Sequence, residues 1–160
     1  MKELPTRKNI RLEGYNYSAA GAYFVTICIK DRHELLGEIV GADTIRPRVA
    51  LSDIGILVGN AIDKISEIYT GVHVNCSIIM PNHVHMIVVI DQNSGRMISA
   101  PTLSRIIGYF KQSVSRKCGY SIWQKSFHDH IIRDESEYQK IWQYIDQNPA
   151  NWETDRYFIN

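Results

Sequence analysis

Apolar residues change period several times along the chain, and each change marks an element. Residues 22–30, AYFVTICIK, are dense in aromatic and β-branched side chains and follow a turn-like Ser-Ala-Ala-Gly, which predicts a strand. Gly37–Val40 and Arg48–Leu51 predict two shorter strands separated by a Gly-Ala-Asp turn. Over residues 53–69 the apolar positions Ile54, Leu57, Val58, Ala61, Ile62, Ile65 and Ile68 recur at steps of three and four, so a helix is expected, capped by Ser52 and stopped by Gly71. Residues 72–80 and 83–90 are apolar runs broken by Pro81-Asn82 and predict a hairpin. The second run, HVHMIVVI, barely alternates after its histidines, as in a strand covered on both faces.

A polar loop over residues 91–100 follows. Leu103, Ile106, Ile107, Phe110 and Val114 then outline a second amphipathic helix ending near Gly119, with its basic residues mostly off the apolar stripe. A short extended piece at 127–133 leads into a third helix. There Asp134 with Glu137 resembles a capping box, and Pro149 ends the helix. Strands with helices between them suggest an α+β sandwich, a mainly antiparallel sheet with helices packed on it.

Composition narrows the class. With 160 residues, 44% hydrophobic and 22% charged, one ordinary globular domain over 1–160 is expected. No stretch approaches the ~18 consecutive apolar residues of a membrane helix, and the basic start, MKELPTRKNIRLEG, lacks the apolar core of a secretory signal. Cys28, Cys76 and Cys118 are odd in number and without C-x-x-C spacing, so they read as free thiols in a reducing cytoplasm. The net charge of +1 says little by itself, but its placement is uneven. Lys2, Arg7, Lys8 and Arg11 crowd an N-terminal arm over 1–14, and Arg105, Lys111, Arg116 and Lys117 crowd the second helix. Such runs are most often a solvated face.

Two features carry candidate chemistry. His83 and His85, two apart on a strand, point to one face and can share a metal ion. Spacing alone favours two merely hydrogen-bonded histidines; what argues for more is the cost of burying two polar rings on a doubly covered strand. His128 and His130 repeat the spacing and read as surface or DNA-facing residues, while His33 and His73 read as ordinary. On the third helix Tyr138, Ile141, Trp142 and Ile145 form the apolar stripe. Tyr144 lies about 110° from the centre of that stripe at ~100° per residue, so its hydroxyl is expected at the edge of the core. Asn148 falls one turn further on the same face. A boundary tyrosine followed by a capping Asn fits these positions as well as a catalytic pair does. If the pair is catalytic, a phenol with a pKa near 10 needs help to attack a phosphate at neutral pH, and a divalent cation on the same site supplies it.

At this point the strings YNYSAAGAYFVTICIK (15–30), MPNHVHMIVVI (80–90) and WQKSFHDHIIRDESEYQKIWQYIDQNP (123–149) resemble the IS200-like transposases, most closely their REP-associated tyrosine branch. The resemblance covers nearly the whole chain. It implies a ferredoxin-like, RRM-like antiparallel sheet of the HUH endonuclease type, single-stranded or hairpin DNA as substrate, and Mg²⁺ or Mn²⁺ as cofactor. It further implies a 5′-phosphotyrosine intermediate on Tyr144, with His83, His85 and Asn148 as metal ligands. It suggests that the arm residues Arg7, Lys8 and Arg11 contact a single-stranded guide, and that Arg105, Lys111 and Arg116 contact phosphates. Monomeric and dimeric members both exist, which leaves open whether Tyr144 acts in cis or in trans. Two rivals stand beside the enzyme: a domesticated hairpin-binding protein without transposition activity, and an unrelated zinc hydrolase indifferent to Tyr144.

Overall fold

One strand organises the molecule because it is apolar on both faces and paired on both edges. In the computed structural model, which describes residues 20–91 and 101–159, this is β1 (Gly21–Cys28). It pairs antiparallel with β5 (His83–Ile90) on one side and β6 (His128–Ile132) on the other. With β4 (Val72–Ile79) outside β5, the sheet order is β4-β5-β1-β6. The arm with Arg7, Lys8 and Arg11, and residues 92–100 of the expected loop, lie outside the described residues.

Two helices connect these strands. α1 (Asp53–Ile68) joins β1 to β4, and α2 (Leu103–Cys118) joins β5 to β6. Each connection skips one strand, so the two βαβ units interleave, which is the expected ferredoxin-like α+β topology. A separate two-stranded ribbon, β2 (Gly37–Val40) and β3 (Arg48–Leu51), is inserted before α1. After β6 come α3 (Glu135–Asp146) and a 3₁₀ helix, Asn148–Thr154.

Local chemistry places the helix ends. Ser52 Oγ accepts from the Gly55 amide at 3.0 Å, and Thr102 Oγ1 from the Arg105 amide at 3.2 Å. Asp134 Oδ1 accepts from the Glu137 amide at 2.8 Å, the expected cap, while Glu137 Oε2 reaches one residue further back than in a capping box and accepts from the Arg133 amide at 2.8 Å. Gly119, at φ +81°, closes α2 in the left-handed conformation open to glycine.

The pleat then sorts the side chains. Tyr23, Val25 and Ile27 of β1 and Val84, Met86, Val88 and Ile90 of β5 face α1 and α2, forming the main core with Val58, Ile62, Ile65, Ile106, Ile107 and Phe110. The intervening residues, among them Phe24, Thr26, His83 and His85, face α3 and the chain beyond it. A smaller core on that side joins Cys28 and Met80 to Trp152 and Tyr157, flanked by Ile39 and Val49 of the ribbon. The expected stripe on α3 is only partly realised. Ile145 is buried, whereas Trp142 is exposed, because α3 rests on the sheet through a narrow contact near its C-terminal end. The three cysteines are free thiols. Among the described residues no helix is long and apolar enough to cross a membrane.

Gly55 is a point where the fold admits no side chain. A Cβ there would lie 2.0 Å from the Leu36 carbonyl oxygen, which already accepts from the Ser52 amide. Helix propensity alone favours alanine over glycine by about 1 kcal/mol, but backbone overlap outweighs it. Gly55→Ala should cost about 2–3 kcal/mol in urea unfolding; an unchanged or raised midpoint would contradict this packing.

Candidate metal centre and tyrosine site

The site begins at the β4–β5 turn. Asn82 Nδ2 donates to the carbonyls of Tyr157 at 2.8 Å and Arg32 at 3.3 Å, which fixes the orientation of its amide. Its oxygen therefore faces His83 Nδ1 at 2.8 Å, and Nδ1 must carry the proton. His83 Nε2 is left with a bare lone pair, the form in which imidazole binds metals. His85 is held by Thr26, with Nδ1 2.8 Å from the hydroxyl. The two Nε2 atoms face each other at 3.1 Å. Since His83 Nε2 is bare, that contact is a hydrogen bond only when His85 carries its proton on Nε2 and the Thr26 hydroxyl donates to Nδ1. Turning the hydroxyl to accept from Nδ1–H instead would bare both facing nitrogens, as two ligands of one ion require.

Both rings are essentially solvent-free, at 0% and 1% exposure. Burial lowers the His83 pKa to about 4, against the pull of the Asp155 carboxylate, and holds His85 well below the ordinary value, aided by His83 and Arg156. Both are thus neutral at pH 7.

Tyr144 enters from α3. Its hydroxyl lies 3.4 Å from His85 Nε2 and donates to Asp155 Oδ2 at 3.3 Å. The ring stands edge-on to Phe24, with centroids 6.1 Å apart. At 41% exposure it occupies the edge of the core, the position its helical phase predicts. Burial and the Asp155 charge push the phenol up to about 12, so it is protonated at rest.

Asn148 is fully buried and starts the 3₁₀ helix instead of continuing α3. It sits beside both the His83 ring and the Tyr144 phenol. Its Nδ2 donates to Asp155 Oδ2 at 3.1 Å, while its Oδ1 is buried without a hydrogen-bond partner. An unsatisfied buried oxygen costs about 1–3 kcal/mol and is the donor type that hard divalent cations take. His83, His85 and Asp155 bring ligand atoms within 4.8 Å of one another. Two neutral imidazoles, a carboxylate and an unpartnered amide oxygen fit a divalent metal.

The sequence singled out His83, His85, Tyr144 and Asn148, and the fold brings all four together. It missed Asp155, Asn82, Thr26 and Tyr157. Asp155 lies beyond the expected end of the last helix, and only the 3₁₀ turn carries it back, where its Oδ1 accepts from the Tyr157 amide at 2.8 Å. The Tyr157 ring stacks 4.5 Å from His83, and its hydroxyl reaches Thr26. Arg105, Lys111 and Arg116 are not brought to the site, because α2 packs on the opposite face of the sheet. Arg105 is exposed there, and Arg116 lines a 180 Å³ cleft between α1 and α2. Lys111 is half-buried and donates to the carbonyls of Gln124 and Ser126, which ties up its ammonium group.

No family model matches the chain. Its fold is that of transposase structures. A REP-associated tyrosine transposase bound to a REP hairpin superposes with a TM-score of 0.63 at 21% identity, covering 86% of this chain and 72% of the other. A candidate transposase of Deinococcus radiodurans gives 0.50 at 16% identity, covering 86% and 95%. In sequence, the chain belongs to the same family as a Haemophilus influenzae protein described only as uncharacterized, to which it is 33% identical over 96% of its own length and 94% of the relative's.

The buried histidines give a signed pH dependence. In the unfolded chain they take up protons near the ordinary value of 6.5, whereas folded His83 resists until about 4. Stability is therefore fully present above pH 6.5 and falls as the pH drops through that window. The expected slope is about 1.4 kcal/mol per pH unit for each histidine. Urea unfolding between pH 7.5 and 4.5 checks this, and His83→Gln should flatten the profile; equal slopes in both proteins would contradict the assignment.

Proposed function

We propose that this chain is a divalent-metal-dependent transposase that cuts and rejoins single-stranded DNA at hairpin or repeat elements, with Tyr144 as its nucleophile. The observation that carries the reading is the meeting of the Tyr144 hydroxyl, the His85 ring nitrogen 3.4 Å away and the buried unpartnered oxygen of Asn148. A solvated surface tyrosine has no reason to point at two neutral buried histidines. The transposase fold, and the REP hairpin bound to one protein that shares it, support the substrate class.

His83, His85 and Asn148 would hold Mg²⁺ or Mn²⁺, with Asp155 beside them; such an ion supplies the positive charge that polarises a phosphate and stabilises the transition state. Nitrogen donors make Mn²⁺ as suitable as Mg²⁺. The remaining work falls to the protein. Asn82 and Thr26 keep the imidazoles aimed at one point. Phe24 and His85 flank the Tyr144 ring and limit its swing. The Tyr144 oxygen forms the bond to phosphorus as the bond to the 3′ oxygen breaks. Its proton passes to a facing acceptor, the Asp155 carboxylate at 3.3 Å or water, and the departing oxygen takes a proton from water and leaves as a 3′-hydroxyl. The 5′-phosphotyrosine so formed conserves the phosphodiester for rejoining. Tyr144 reaches His85 of its own chain, the arrangement that action in cis requires. The basic arm Arg7, Lys8 and Arg11 and the exposed Arg105 and Arg116 are the proposed phosphate contacts beyond the site, and the cytoplasm is the proposed compartment.

Incubation with labelled single-stranded hairpin oligonucleotides and Mn²⁺ should give a covalent protein–DNA band on a denaturing gel. Tyr144→Phe should abolish that band. Its persistence would sink the nucleophile, and no cleavage across a broad hairpin library would favour a DNA-binding protein instead. His83→Ala should lower nicking at least ~100-fold, as expected when a metal site is dismantled, and weaken Mn²⁺ binding measured by calorimetry.

A further inference from the structure

A second histidine pair lies on the same sheet face as the metal centre, and its register relates the two. Thr26 of β1 pairs with His85 of β5 on one side and with His128 of β6 on the other. Phe24 likewise lies between Ile87 and His130. His128 is therefore two strand spacings from His85, about 10 Å across the sheet, with the Thr26 hydroxyl between them. A pocket of about 150 Å³ opens there, lined by Phe24, Thr26, His128, Asp129, His130, Arg156 and Tyr157.

Its walls have complementary chemistry. Arg156 is exposed, and its guanidinium stands 5.2 Å from the centre of the Tyr157 ring. That same Tyr157 ring stacks on His83, so the pocket and the metal centre share a wall. His130 is pinned by Glu137 on the first turn of α3, which leaves its ring as a fixed side of the pocket. Phe24, half-buried, supplies an aromatic floor next to Tyr144. A guanidinium, an imidazole and an aromatic face around a small open volume suit a phosphate linked to a planar base.

We propose that this pocket seats the nucleotide next to the phosphate attacked by Tyr144, with Arg156 and His128 on its backbone and its base against Phe24. The proposal rests on the transposase reading and adds where the strand runs: from the metal centre across Thr26 towards β6. It makes His128 and His130 of β6 part of substrate binding, separate from metal binding.

The test is a binding measurement without metal, so that catalysis does not enter. Fluorescence anisotropy with a labelled eight-residue oligothymidylate should show Arg156→Gln and His128→Ala each weakening binding about 5- to 30-fold, the effect expected of one charge-assisted phosphate contact. Both side chains are exposed, and thermal melts should confirm that each variant is folded. An abasic strand of the same length should bind more weakly than oligothymidylate to the wild type, and Phe24→Leu should narrow that gap. In ¹H–¹⁵N spectra the His128 ring signals should move on titration while those of His33 and His73 stay. Binding that ignores Arg156→Gln and leaves the His128 signals in place would overturn the pocket while leaving the DNA reading intact. A wild-type chain that binds no single strand and cleaves no hairpin would overturn both.

Discussion

The pairing of β1 with β5 in one particular register is the constraint on which the remaining features depend. Thr26 opposite His85, and Cys28 opposite His83, turn both imidazoles away from α1 and α2 and towards α3. A slip of one residue would drive the two rings into the helical core and bring Val84 and Met86 out, an exchange that hydrophobic burial forbids. The register is thus held by the apolar half of the strand, and the polar half is carried along with it. The site is a by-product of core packing in this sense: the residues that fix its geometry are largely those that take no part in its chemistry.

Around that frame, polar atoms are spent on orientation. Asn82 uses both ends of its amide, donating to the Tyr157 and Arg32 carbonyls and accepting from His83. One side chain therefore ties the β4–β5 turn to the C-terminal segment and selects the His83 tautomer. Thr26 performs a similar service for His85 and touches Tyr157 as well. Asp155 closes the circle by receiving Tyr144, Asn148 and the Tyr157 amide. Against this density of satisfied groups the unpartnered oxygen of Asn148 stands out. Buried polar networks are stable only when complete, and an amide oxygen left over beside the bare His83 nitrogen fits a cation.

The two faces of the sheet divide the labour. One carries the large apolar core with α1 and α2; the other carries a small core, the two histidine pairs, Tyr144 and Arg156. α3 packs on β4 and β5 of that second face, and the small pocket opens beside it over β1 and β6. The basic residues of α2 lie on the opposite face, so any DNA they contact lies beyond the tyrosine site.

How much of this was legible beforehand follows from the range of the forces involved. Strands, helices and caps were readable because period, β-branching and capping pairs such as Asp134 with Glu137 act within a few residues. The same holds for the His83/His85 pair, whose common face is fixed by the pleat, and for Tyr144, whose helical phase alone puts it at the core's edge. What local pattern could not supply were the partners that arrive from far along the chain. Asp155 lies seventy residues or more from both histidines and is returned to them by a 3₁₀ turn that no periodicity announces. Asn82 and Thr26 look like an ordinary turn residue and an ordinary strand residue until strand pairing sets them against imidazole nitrogens. His128 and His130 read as surface or DNA-facing residues and are exposed, but nothing in their own segment reveals that β6 docks beside β1. The sequence by itself determined which residues could do chemistry and which way each faces on its own element. Only the tertiary structure decided which of them meet, because strand register and the path of the C-terminal chain are set by the burial of apolar side chains elsewhere.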